Sequence, residues 1–237
     1  DTTPEGEQVN IYGNHVGSWN FAATAYLNQW KVKIYYEHYF DDHSQMFFQY
    51  GRWKDGHIGL EITFPKNRFI DTFVYEGLGT KDQTGPMLYD SFWGEFEEQI
   101  SAKDNYYNHY LYQGWQHWGM GIGNPLLPGP IYNKNGQITF ISNRVLAHHI
   151  GFCGSPCQSL SYRMLLSYSR HWGTYDNPLN EIKKQFNSLF EVTYAPQQLK
   201  GWSFTVSGAM DRGNLLGNNY GGMLVIRKQG IIKSGNK

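Results

Sequence analysis

The stretch GWQHWGMGIGNPLLPGP, residues 114–130, sets Trp115, His117 and Trp118 beside Gly119, Gly121, Gly123 and Asn124. Indole faces stack on the C–H surfaces of sugar rings, and an imidazole and a carboxamide can supply hydrogen bonds at the rim. The grouping therefore has the chemistry of a saccharide platform. The plainer reading is packing, with glycines that let an inward-folded loop approach other backbone closely. Pro125, Pro128 and Pro130 cannot donate ladder hydrogen bonds, which predicts that much of this segment lies off any sheet.

A second group is cationic and aromatic. SRHWGTYD presents Arg170, His171, Trp172, Tyr175 and Asp176, and MDRGN presents Asp211 and Arg212. A guanidinium grips a carboxylate in a bidentate fork, so Arg144, Arg170 and Arg212 suit an acidic sugar polymer, with Trp172 as a further stacking surface. Pairing with Asp71, Glu191 or Asp211 is the simpler alternative. DNYYNH, residues 104–109, has the polar and aromatic content of carbohydrate sites, and equally that of an exposed loop.

Catalysis finds little support. GxSxG, HExxH, a phosphate loop and paired CxxC are all missing from the sequence. Glu76 and Glu95 could form a glycosidase pair only at a separation the sequence does not fix. His148 and His149 are adjacent, so on a strand they face opposite sides and cannot share a metal. No enzyme, metal site or cofactor is expected. Cys153 and Cys157 bound the turn-like CGSPC, which predicts a disulfide across a hairpin tip in an oxidising compartment, with two unrelated free thiols as the alternative.

These residues need elements to position them, and period-two alternation is the strongest pattern in the chain. WKVKIYYEHYF places Trp30, Val32, Ile34, Tyr36, His38 and Phe40 on one face, and Lys31, Lys33, Tyr35, Glu37 and Tyr39 on the other. LSYRMLLSYS, FNSLFEVTY and GWSFTVSGAMD repeat the division. VGSWNFAATAYL, HIGLEITF, FIDTFVYEGL, HYLYQGWQHW, ITFISNRVLAHHIGF and GMLVIRK are weaker candidates, giving about ten strands. PLNEIKKQF alone has a helix-like pattern, though it also suits a loop, and the longest connection is expected from Lys81 to about Asn108. With 18 Tyr, 14 Phe, 8 Trp and 27 Gly in 237 residues, composition agrees with strands and turns.

The 20 basic and 20 acidic residues form no long run of either sign, so no basic stripe points to nucleic acid or to an anionic membrane surface as a partner. No apolar run reaches the roughly 18 residues of a membrane helix. The opening DTTPEGEQ lacks the pattern of a secretory signal, so any such signal is expected outside this sequence. Amphipathic strands fit two architectures. A soluble sandwich turns its apolar faces inward, whereas a membrane barrel turns them to lipid. Aromatics near strand ends, such as Trp30, Phe40, Tyr162, Tyr168 and Trp202, suit the girdles of a barrel.

The segments DNYYNHYLYQGWQHWGMGIGNPL, NRVLAHHIG, YSRHWGTYD and LKGWSFTVSGAMDRGNLLGNNYGGMLVIRK together resemble the capsule assembly Wzi family, in the form found in Bacteroides-like bacteria. The resemblance implies an all-β, antiparallel transmembrane β-barrel in the outer membrane of a Gram-negative bacterium. It would be embedded in outer-membrane lipid and would bind or organise capsular or other surface polysaccharide without catalysis. Members have about eighteen strands, so residues 1–237 would form a single barrel domain or the C-terminal portion of one. An outer-membrane pore and a secreted β-sandwich lectin are the alternatives.

Overall fold

In a computed structural model of the chain, residues 16–41, 46, 55–67, 69–86, 103–109 and 114–230 are described. The alternating segments become strands: β1 (Gly17–Leu27), β2 (Trp30–Phe40), β3 (Gly56–Thr63) and β4 (Thr72–Gly79). Two short strands follow, β5 (Gln116–His117) and β6 (Met120–Gly121). Then come β7 (Val145–Cys157), β8 (Leu160–Gly173), β9 (Pro178–Tyr194), β10 (Trp202–Gly213) and β11 (Asn219–Lys228). Among the described residues, nine strands make one antiparallel sheet in the order β1-β2-β3-β4-β7-β8-β9-β10-β11, and β5 pairs only with β6. The all-β expectation holds. The large sheet is open, with β1 and β11 as its edges.

The register carries each strand's alternation across the sheet. Val32, Ile62, Phe73, Phe152, Met164 and Phe190 stand opposite one another in a continuous apolar row. Three residues further along β2, the polar row runs Tyr35, Gly59, Glu76, His149, Ser167, Asn187, Asp211 and Asn219. A one-residue slip in any pair would exchange the two faces, so burial of either face fixes the register. Tyr35 lays its ring over Gly59, where an added Cβ would meet ring atoms within 2.0–2.4 Å. The glycine thereby admits an aromatic across the strand pair.

The two ends of the sheet differ. At one end lie the two-residue turns Asn28–Gln29 and Gln158–Ser159. At the other, residues 80–144 link β4 to β7, and their described part folds back over the polar face. There Tyr107, Leu127 and Phe140 pack with Leu78, Val145 and Ala147 of β4 and β7 in one buried cluster.

Five expectations change. PLNEIKKQF is strand, the first half of β9, paired with β8 and extended by β10. HYLYQGWQHW contributes only the two residues of β5 among those described, and ITFISNRVLAHHIGF is strand only from Val145. The connection expected to close near Asn108 runs on to Arg144. CGSPC is the end of β7, not a hairpin tip, and both cysteines are free thiols. Even with the bulge between Gly154 and Cys157, the two cysteines stand opposite Arg163 and Leu160, three residues and roughly 10 Å apart along β8, beyond the roughly 7 Å between Cα atoms that a disulfide tolerates.

Candidate functional site

The segment covering the polar face is anchored through a buried carboxylate. Asp55, just before β3, accepts from the backbone N–H of Asp82 at 2.8 Å, from that of Gln83 at 2.7 Å and from the Tyr106 hydroxyl at 3.1 Å. Burial pushes its carboxyl up to about 6, against the opposing effect of those three donors. Gln83 and Thr84 are held at φ +43° and +60°, a strained region for side-chain-bearing residues. Asn143 adds a second tie, its Nδ2 donating to the carbonyl of Tyr106 at 2.9 Å. Tyr106 and Tyr107 of DNYYNH are therefore buried supports of this plug and not an exposed binding loop.

On that support β5 and β6 form a hairpin whose two turn residues, Trp118 and Gly119, take φ +53° and +78°. Positive φ at both turn residues matches the right-handed twist of the flanking strands. The Gln116 side chain accepts from the Gly119 N–H at 2.8 Å, and Ile131 N–H donates to the Gly119 carbonyl at 2.7 Å. A Cβ at Gly129 would lie 2.6 Å from the Gly121 nitrogen, so backbone packs on backbone here. Trp118 is left 84% exposed at the crest, with Met120, Ile131 and Tyr132 also exposed and the His117 ring edge-on to it at 6.2 Å.

Other members of the expected platform have different tasks. Trp115 stacks on Tyr107 at 6.1 Å and packs against the buried cluster. The Asn124 side chain caps its own turn by accepting from Leu126 N–H at 3.0 Å, while its backbone N–H donates to the Tyr107 hydroxyl at 3.1 Å. Of the residues in this stretch, the structure brings His117 and Trp118 to the surface as a pair.

The arginines lie on the other face of the sheet. Arg170 is opposite Leu146 and Lys184, and Arg212 is opposite Phe186, all in phase with the apolar rows. Beyond the Gly79–Leu146 pair, Arg144 stacks on Tyr175 at 3.8 Å, while Lys81 and Arg170 lie over Trp172 at 4.7 and 5.4 Å. The single surface expected of the tryptophans and arginines thus divides in two, because the plug covers the polar face and the arginines alternate onto the apolar one. The carboxylates proposed as their partners are engaged elsewhere: Asp71 with Ser155 at 2.8 Å, Glu191 with Arg163 at 3.3 Å and Asp211 with Asn187 at 2.7 Å.

On the polar face, His57 reaches Glu37 and Glu76, each at 3.6 Å, and Tyr35 donates to Glu76. Glu95 lies outside the described residues, so the imagined carboxylate pair has no geometry, and Glu76 is held within this network. His148 bonds Tyr75 on the apolar face at 2.8 Å, and His149 bonds Ser167 on the polar face at 2.6 Å. Sequence reasoning missed Asp55, Lys81 and Lys184. It also missed the face of the arginines, although Arg170 follows Tyr168 and Arg212 follows Met210 at the two-residue step that defines a strand face. Compared with family models, curated proteins and solved structures, the chain matches none.

Proposed function

We propose that this chain forms an outer-membrane β-barrel, or a large part of one, and binds surface polysaccharide through the crest of its plug without catalysing a reaction. The observation that carries the reading is an apolar face running across nine strands with its large side chains in the open. Ile34 is 54%, Val206 60% and Leu224 65% exposed, while polar groups and a plug occupy the opposite face. Apolar surface of that extent is stable against lipid and a liability in water. Eleven-residue strands such as β1 and β2, at about 3.3 Å per residue and a tilt of about 40°, rise about 28 Å, close to a barrel's apolar band.

The resemblance of its segments to the capsule assembly Wzi family supports polysaccharide as the ligand. The long connection over residues 80–144 at one end, against the two-residue turns at Asn28–Gln29 and Gln158–Ser159 at the other, supports a sidedness in which the plug end faces outward. Trp118 and His117 at the crest then meet the polymer first. Export of the full chain tests both parts. The protein is expected in the outer-membrane fraction, with a different gel migration before and after boiling, and capsular polysaccharide should bind wild type more tightly than Trp118→Ala. Recovery as a detergent-free soluble protein would refute the barrel, and equal binding by the variant would refute the crest.

A further inference from the structure

At the plug end, the apolar face terminates in a row of cations. Lys81 follows β4, Arg144 precedes β7, Arg170 and Arg212 lie near the ends of β8 and β10, and Lys184 stands opposite Arg170 within β9, with Trp172 and Tyr175 between them. None of the five forms an ion pair among the described residues, where Asp176 is taken by Lys103 and Glu181 by Lys183. Cations on a lipid-facing surface are costly at the midplane and nearly free at the interface, so this row marks where hydrocarbon gives way to headgroups.

We propose that the row binds the phosphate of an anionic membrane lipid whose acyl chains lie on the apolar face below it. Two properties of the surface select that occupant. Guanidinium and ammonium groups supply several donors for phosphate oxygens, with Arg144 and Arg170 pre-oriented by Tyr175 and Trp172. The same strands continue directly into Tyr168, Leu166, Met164 and Ile150, so charge and apolar contact are offered to one molecule. A soluble acidic polymer would satisfy only the charges. The inference rests on the barrel reading, since acyl chains reach this face only in a membrane.

The full chain, purified in an uncharged detergent, would be mixed with micelles containing phosphatidic acid or phosphatidylcholine of the same acyl chains, and retained lipid counted by native mass spectrometry. Wild type is expected to favour phosphatidic acid about tenfold, and Arg170→Ser with Lys184→Ser to remove most of that preference, while Arg170→Lys keeps it. Should the double variant not fold, Arg212→Ser is expected to lower the preference about threefold. Inorganic phosphate and hyaluronate, each in excess, are expected not to compete. An unchanged preference in the folded variants, or competition by either soluble anion, would overturn the proposal. A chain that needs detergent yet holds both lipids equally would refute this inference alone. One that dissolves without detergent and holds neither would remove the barrel reading as well.

Discussion

Lys33 and Ile34 are consecutive on β2, yet Lys33 stands opposite Glu61 on the polar face and Ile34 opposite Leu60 on the apolar one. Their backbones are equivalent, so their substitutions separate the environments of the two faces. Ile34→Arg is expected to cost about 2–4 kcal/mol of folded stability in a bilayer, and Lys33→Leu well under half of that. Unfolding of the reconstituted variants in urea measures both. Comparable losses would mean that the apolar face does not meet lipid.

Trp118 and Trp115 should part company in the same way. Trp118→Gly is expected to leave folding intact, or to stabilise the hairpin by up to about 1 kcal/mol, because glycine tolerates the positive φ that an aromatic does not. Polysaccharide binding should weaken, since the lost stacking is worth about 0.5–1.5 kcal/mol beyond buried area. Trp115→Ala should cost about 3 kcal/mol of stability by removing a side chain packed against Tyr107 and the buried cluster. Thermal unfolding and saccharide titration on both variants would test the division, and a Trp115 variant of full stability would contradict it.

Cys153 and Cys157 are expected to react as two thiols in the native protein. Cys157 should be alkylated faster, being exposed where Cys153 is half-buried. Mass spectrometry after brief alkylation without reductant gives the count, and an intact protein with no reactive thiol would restore the disulfide.

Asp55 makes the plug sensitive to pH. Its carboxyl titrates at about 6 when folded, against 3.8 as the ordinary value, so between these the folded state holds a proton that the unfolded state has released. This contribution to stability, roughly 3 kcal/mol, is fully present below about pH 4 and lost as pH rises through about 6. Asp55→Asn should flatten the profile. Hydrogen exchange at the Gln83 amide, corrected for intrinsic rate, should show protection falling from pH 4 to 7 in wild type, and a flat wild-type profile would count against it.

The sequence carried the strands whose neighbours agree with their own pattern. In β2, β8 and β10 the alternating residues keep their faces throughout, so local pattern and tertiary pairing coincide. The first half of β9 was obscured because Leu179, Ile182 and Phe186 are spaced as on a helix. Pairing with β8 overrides that spacing, and no local signal announces a partner strand. At the plug, Trp115 and Trp118 share composition and neighbourhood, yet one is packed and the other exposed. The difference arises from the contact of Trp115 with Tyr107, 8 residues away, and from the tie of the turn to Ile131, whose N–H donates to the Gly119 carbonyl 12 residues away.

Among the described residues, eight strand pairings hold the large sheet, and in seven the partners are successive in the chain. The exception is the seam between β4 and β7, which closes over residues 80–144. Closing 65 residues costs about 3 kcal/mol more in chain entropy than closing a two-residue turn, so the flanking ladders β1–β4 and β7–β11 can zip hairpin by hairpin before the seam joins them. Thr80 stitches that joint: its Oγ1 donates to the Asn143 carbonyl at 2.7 Å and accepts the Val145 N–H at 3.0 Å. The plug is then the clasp that offsets a late closure, and pulse-labelled exchange should protect Thr80 and Val145 after the amides of β8 and β9, with simultaneous protection arguing for a single concerted step.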